Sequence, residues 1–184
     1  MHWRPASTRC RKYSAEPDVI EAGMDSKHLY QEVVLDHNRK PRNWGRLADA
    51  SHQAEGLNPL CGDHIWLSLK MDGDKVGSIA FEGESCAICK ASSSMMTTNV
   101  KGKSVEQAEQ LIREFRDMAT GKLDTGSQPN HLGRLSVFAG VRDLPSRVKC
   151  AILPWHTLHA ALNAESTIST EGDRDPVSSV AKRV

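Results

Sequence analysis

The chain has 184 residues, and its 24 lysines and arginines nearly balance its 23 acidic residues, which leaves a formal net charge of +1. A chain this close to neutral has no electrostatic basis for binding nucleic acid or a membrane surface, so we expect neither as a partner. The length suits one domain with a hydrophobic core, and no apolar run approaches the roughly 18 residues of a spanning helix.

Residues 1–23 combine charges of both signs and lack apolar periodicity, which predicts a disordered N-terminal extension. Helical spacing begins directly after Met24, and we expect the folded domain to occupy residues 24–164. From Glu165 onward the sequence is polar, which predicts a disordered tail over residues 165–184.

The first predicted element is a helix that Asp25 or Ser26 caps and Pro41 ends. Strict alternation in "DHIWLSLKM", a turn at "DGD" and the strand-like "KVGSIAFEG" predict a β-hairpin, with a further strand in the preceding "ASHQAEG". Helical periodicity then returns in "SVEQAEQLIREFRDM", where Ser104 and Gln107 form a capping box.

Residues 120–131 are rich in glycine, proline and polar side chains and predict a loop. The last predicted helix carries Trp155 and Leu158 at helical spacing. A proline is tolerated only near the start of a helix, so we expect this helix to begin close to Pro154 and Cys150 to lie at its entrance.

The five cysteines are an odd number, widely spread and without a secretory signal, which argues against disulfides and favours a reducing, cytoplasmic setting. Three of them lie at the edges of elements: Cys61 in the loop "NPLCGDH", Cys86 where the hairpin leads into a helix, and Cys150. Asp63 follows Cys61 closely enough to point to the same centre. Accessible, easily deprotonated thiols of this kind suit Zn(II) or an Fe–S cluster.

Other interpretations of these residues remain open. A free cysteine taken alone is most simply a small core hydrophobe. Cys86 and Cys89 also have the spacing of a redox C-x-x-C pair, but the parallel strand typical of that motif is missing, so we expect Cys89 to be packed. His64 alternates away from Asp63, and we favour Asp63 at the site. Arg147 is either solvated or close to the charge of the site.

Three stretches of the chain resemble the signature blocks of the SufU/IscU family of iron–sulfur cluster assembly, also called the NifU N-terminal domain family. They are "LYQEVVLDHNRKPRN", "NPLCGDHIWLSLKMDGDKVGSIAFEGESCAICKASSSMMT" and "RVKCAILPWHTLHAAL". The resemblance implies an α+β fold in which helices pack on a small three-stranded antiparallel sheet. It also implies a metal site formed by Cys61, Asp63, Cys86 and Cys150.

Two features are similar to the SufU branch of that family: Lys149 replaces the histidine of IscU-type scaffolds, and residues 120–140 resemble a SufU insertion. This resemblance implies a zinc-dependent, sulfurtransferase-like protein that accepts persulfide sulfur at Cys61 from a SufS-type cysteine desulfurase, with SUF scaffold proteins downstream. The alternative is a scaffold on which an Fe–S cluster is assembled and transferred. A purely structural zinc module is a third hypothesis, but an aspartate ligand suits ligand exchange better.

Overall fold

The computed structural model describes residues 26–171 of the chain. Its elements are α1 (Ser26–Arg39), β1 (His52–Asn58), β2 (Asp63–Asp72), β3 (Lys75–Glu84), α2 (Ala87–Val100), α3 (Val105–Ala119), a 3-10 helix (Gly133–Asp143), α4 (Pro145–Leu162) and β4 (Thr167–Ser169). The predicted extension over residues 1–23 and the part of the predicted tail after residue 171 lie outside the described residues. None of the described helices is long and apolar enough to cross a bilayer.

The strands form one four-stranded mixed sheet in the order β3-β2-β1-β4. The first three strands are antiparallel, as the hairpin pattern predicts, and β1 is the further strand expected in "ASHQAEG". β4 adds a parallel edge strand that pairs Gly56 with Ile168. The α+β class is therefore confirmed, and the three-stranded antiparallel sheet is corrected to four strands of mixed direction.

The prediction of a disordered tail is wrong for residues 165–171. Ile168 is buried in the core, and the backbone N–H of Thr170 donates to the Leu57 carbonyl at 2.9 Å. A strand of three residues is too short to show alternation in the sequence. It is ordered here because β1 supplies its hydrogen-bond partners and the core accepts its single apolar side chain.

One face of the sheet packs against the helices, and α4 crosses β1 and β2 on that face. The crossing is close at Gly56, where an added Cβ would lie 2.0 Å from Thr157 Oγ1 on α4. On the neighbouring helix α2, Ser92 Oγ donates to the Ala151 carbonyl at 2.7 Å and accepts from Trp155 Nε1 at 3.1 Å. Ser92 therefore joins α2 to α4.

The prediction that the last helix begins near Pro154 is wrong. α4 begins at Pro145, whose missing N–H is harmless in a first turn. Pro154 lies inside the helix, where it removes the hydrogen bond that the Cys150 carbonyl would accept. The helix continues because Leu153 and Trp155 are fully buried on either side of this proline. Cys150 consequently lies within α4 and not at its entrance.

Candidate metal centre

The β1–β2 connection places two of the predicted site residues at one end of the sheet. Asn58 and Asp63 face each other in the ladder, so residues 59–62 form the whole loop between the strands. The Cys61 N–H donates to the Asn58 carbonyl at 3.2 Å, and Gly62 adopts φ +69°, a conformation that glycine tolerates without strain. Cys61 therefore lies at the tip of this loop, and Asp63 is the first residue of β2.

Alternation along β2 separates Asp63 from His64. Asp63 is 1% exposed and shares the inner face with Ile65. His64 lies on the other face, where its Nε2 contacts the Glu55 carboxylate and its ring lies against Trp66 with centroids 3.8 Å apart. The aspartate, and not the histidine, points toward the thiols, as the alternation predicts.

Cys86 occupies the N-cap position of α2, at the end of the hairpin. Its Sγ accepts a hydrogen bond from the Cys89 N–H at 3.5 Å. Its own backbone N–H donates to Asp63 Oδ1 at 2.7 Å. The turn from β3 into α2 thus holds the cysteine and the aspartate against each other.

α4 delivers the remaining thiol to the same place. Cys150 is buried, and its Sγ lies 3.0 Å from that of Cys61. One ligand atom each from Cys61, Asp63 and Cys150 lies within 4.8 Å of the others, so this trio is arranged as a metal site would require. The Cys86 thiol is outside this trio but close enough to the Cys150 thiol for the two groups to shift each other's pKa. The structure thus gathers three of the four predicted ligands and places the fourth beside them.

The contact between Cys86 and Cys150 makes one thiol easier to ionise at the expense of the other. The hydrogen bond with Cys150, assisted by the Cys89 N–H, lowers the pKa of Cys86 to about 7. The same contact, together with burial, raises the pKa of Cys150. A second thiolate next to the first is unfavourable unless a positive charge compensates both. A divalent cation would supply that charge.

Cys89 is fully buried, one turn into α2, and packs against Ile65 and Leu153. Burial raises the pKa of its thiol well above the ordinary value. The prediction of a packed thiol is therefore confirmed. That Cys89 is not a ligand stays a prediction.

Two cations on the first turns of α4 border the site. Arg147 Nη1 lies 3.8 Å from Cys61 Sγ, so this side chain lies close to the charge of the site and is not merely solvated. Lys149 Nζ lies 2.6 Å from Glu171 Oε1 in an ion pair. The position immediately before Cys150 therefore holds a paired cation and contributes no metal-binding group.

The sequence-based prediction did not include Asn58 among the residues of the site. Asn58 is 0% exposed, and its Nδ2 donates to Asp63 Oδ2 at 3.1 Å and to Cys150 Sγ at 3.4 Å. Its Oδ1 accepts from Thr170 Oγ1 at 3.0 Å. The length of the β1–β2 loop is the sequence signal that could have found it, because a short loop sets Asn58 opposite Asp63.

Three thiols and one carboxylate are a donor set that fits Zn(II), and thiolates equally suit iron in a cluster. Residues 29–151 match the family described as the NifU-like N-terminal domain, which is more than half of the chain. The chain belongs to the NifU-like N-terminal domain family. The predicted family is thereby confirmed, and the relatives described next confirm its place in iron–sulfur cluster assembly.

Relatives of this NifU-like chain carry two different names. The zinc-dependent sulfurtransferase SufU of Bacillus subtilis (strain 168) is 44% identical over 146 residues, which cover 79% of this chain and 96% of that protein. The iron–sulfur cluster assembly scaffold protein IscU of Streptococcus pyogenes serotype M1 is 43% identical over 135 residues, which cover 73% of this chain and 83% of that protein.

Solved structures agree with the fold of this NifU-like domain. A protein named SufU from Fervidobacterium islandicum AW-1 superposes with a TM-score of 0.67 at 35% identity, covering 75% of this chain and 99% of that one. A NifU-like protein (N-terminal) from Brucella abortus has a TM-score of 0.64 at 25% identity, covering 73% of this chain and 92% of that one.

Proposed function

We propose that this chain accepts persulfide sulfur at Cys61 from a SufS-type cysteine desulfurase. The observation that carries this proposal is the position of Cys61. It is partly exposed on a loop whose neighbouring Leu60 is 68% exposed, whereas Cys86 caps a helix and Cys150 is buried. An acceptor thiol must reach the persulfide of a partner protein, and the loop position of Cys61 favours it over Cys86, which is also partly exposed but caps a helix.

In this proposal Cys61, Asp63, Cys86 and Cys150 bind Zn(II). The donor set supports zinc, and the name of the Bacillus subtilis relative agrees with it. Bound zinc supplies the positive charge that keeps these thiols deprotonated at neutral pH, and it brings no redox chemistry of its own. The Asp63 carboxylate is a harder ligand than the thiolates. A bond from this carboxylate to zinc would therefore suit ligand exchange when Cys61 reacts with the persulfide.

The transfer step needs only the thiolate of Cys61. That thiolate attacks the outer sulfur of the desulfurase persulfide, so a new S–S bond forms at Cys61 while the S–S bond of the donor breaks. The donor cysteine leaves as a thiolate and Cys61 becomes the persulfide, with no external oxidant or reductant. Arg147 supports the step because its guanidinium lies beside the sulfur that carries the charge. Scaffold proteins of the SUF system would receive the sulfur, in the cytoplasm.

Assembly of an Fe–S cluster on this site is the second candidate function. The 43% identity to a Streptococcus pyogenes protein named as an IscU scaffold favours it. The ion-paired Lys149 argues for sulfur acceptance instead, since the resemblance described above implies a histidine at that position in IscU-type scaffolds.

Desulfurase turnover distinguishes the two functions. Wild type, Cys61→Ser and Cys89→Ser are each added to a SufS-type desulfurase, and the zinc content of each chain is measured alongside. Wild type and Cys89→Ser should stimulate turnover, whereas Cys61→Ser should not, even where zinc is retained, because a serine hydroxyl is not ionised at neutral pH. Full stimulation by Cys61→Ser would contradict sulfur acceptance.

Reconstitution of the zinc-free chain with iron and sulfide under anaerobic conditions tests the scaffold function. A visible chromophore that stays with the protein through gel filtration, together with absent stimulation of the desulfurase by wild type, would establish the second candidate in place of the first.

A further inference from the structure

We propose that Asn58 is a positioning residue of the metal centre and that Thr170, in the segment after α4, holds its amide in the working orientation. This inference rests on the proposed zinc site. It concerns two residues that are not among the predicted ligands: Asn58, the first residue of the second signature stretch, and Thr170, which lies outside all three stretches.

The Asn58 amide joins two predicted ligands that come from different parts of the fold. Its Nδ2 lies 3.1 Å from Asp63 Oδ2 and 3.4 Å from Cys150 Sγ, and all three residues are buried. An amide nitrogen carries two N–H donors, so one is available for each partner. Asn58 therefore links the start of β2 to α4 and holds the carboxylate and the sulfur side by side.

The second oxygen of Asp63 is also held. Asp63 Oδ1 accepts the backbone N–H of Cys86 at 2.7 Å, so donors on both sides prevent the carboxylate from rotating. Groups that orient the ligands of a metal in this way commonly change metal affinity when they are removed.

Thr170 anchors the end of the Asn58 amide that faces away from the ligands. Its Oγ1 donates to Asn58 Oδ1 at 3.0 Å, which leaves Nδ2 directed at Asp63 and Cys150. A flipped amide would place the carbonyl oxygen against two groups that are negative when they bind metal. Thr170 is itself fixed, because its N–H donates to the Leu57 carbonyl at 2.9 Å.

Glu171, the residue after Thr170, also connects residues 167–171 to the site. The Glu171 carboxylate pairs with Lys149 at 2.6 Å, directly beside Cys150 on α4. Residues 167–171 are thus joined to β1 by the β4 ladder and to α4 by an ion pair. This segment, which the sequence predicts to be part of a tail, is therefore attached both to β1, which carries Asn58, and to α4, which carries Cys150.

Four variants of the full-length chain test the inference. Asn58→Leu has a similar volume and removes both donors. Thr170→Val keeps the β-branched shape and removes the hydroxyl, and Thr170→Ser restores the hydroxyl. Thr167→Val is the matched control, since Thr167 is an exposed threonine in β4, the short strand that directly precedes Thr170.

The measurements are the zinc dissociation constant, by competition with a chromogenic chelator, and the absorption spectrum of the Co(II)-substituted chain. Asn58→Leu should raise the dissociation constant about 10- to 100-fold and shift the Co(II) bands, because the ligands lose their orientation. Thr170→Val should raise the constant about 2- to 10-fold. Thr170→Ser and Thr167→Val should match wild type in both measurements.

Unchanged zinc affinity and an unchanged Co(II) spectrum in Asn58→Leu would overturn the inference, because a purely structural role moves only the unfolding temperature. If Asn58→Leu does not fold, equal affinities of Thr170→Val and Thr170→Ser would overturn it instead. A wild-type chain that binds zinc but accepts no sulfur would contradict the proposed function alone. A wild-type chain that binds no zinc would overturn both.

Discussion

The sulfur atoms of Cys61 and Cys150 lie 3.0 Å apart, although 89 positions separate the two residues in the chain. Cys61 is presented by the loop between β1 and β2, and Cys150 by α4, which crosses both strands. A metal bound between them would join the sheet to the helix that covers it. Metal binding should therefore be coupled to the stability of the whole fold.

The first prediction tests the ligand set. Cys86→Ser and Cys150→Ser should each lose zinc and several kcal/mol of apparent stability, because a thiolate is removed from a site whose binding energy stabilises the fold. Cys89→Ser is the matched control, since it removes a buried thiol of the same helix and should keep its zinc. Elemental analysis and thermal unfolding check both outcomes. If Cys89→Ser releases zinc as readily as Cys86→Ser, these two cysteines form the true half-site.

The second prediction concerns the close crossing of α4 over β1. Gly56→Ala should destabilise the protein by about 1–3 kcal/mol, because its Cβ would lie 2.0 Å from Thr157 Oγ1 and 3.2 Å from carbons of Ile65 and Leu153. Gly140→Ala is the control, since an added Cβ meets nothing there within 4 Å. Urea unfolding at saturating zinc measures both variants. Equal free energies of unfolding for wild type and Gly56→Ala would mean that α4 can move away from β1 without loss of stability.

The third prediction is a pH dependence at a buried ion pair. His159 Nδ1 lies 2.8 Å from Glu109 Oε1, and this hydrogen bond raises the pKa of His159. A raised pKa in the folded state means that the pair stabilises fully below the unfolded histidine pKa of about 6.5 and loses its effect as pH rises through the folded value.

The stability difference between wild type and Glu109→Gln should therefore be largest near pH 5.5 and shrink toward about pH 9. Denaturant unfolding at saturating zinc across this range checks it. Glu106→Gln, an exposed change at the start of the same helix, should give a difference that stays small at every pH. If the stability difference between wild type and Glu109→Gln grew with pH, Glu109 would not be interacting with a protonated His159.

The fourth prediction compares truncations at the two ends. A chain beginning at Met24 should keep its zinc affinity and unfolding temperature, because residues 1–23 lack the apolar pattern of a core element. A chain ending at Ala164 should lose both, because it lacks the buried Ile168 and the hydrogen bond from Thr170 to Asn58. Thermal unfolding and chelator competition measure both chains. Loss of zinc on removal of residues 1–23 would contradict the predicted domain boundary.

Much of the fold follows from local patterns. Alternation in β2, the turn at residues 72–74 and the capping box of Ser104 and Gln107 depend on residues close together in the chain, and the structure contains each of them. Alternation likewise separates Asp63 from His64. These features are visible in the sequence because their physical causes are the strand period, turn chemistry and the unpaired N–H groups of a helix start.

The sequence by itself predicted which thiols and which carboxylate form the site, through their places at the edges of elements and through the resemblance to a known family. Only the tertiary structure decided the remainder of the site. β4 is ordered because β1 accepts its hydrogen bonds, and α4 runs through Pro154 because burial of its neighbours outweighs the lost bond. Asn58 meets Thr170 and Cys150 only after the sheet and α4 have packed. Contacts between distant segments follow from packing of the whole chain, which no local period of the sequence encodes.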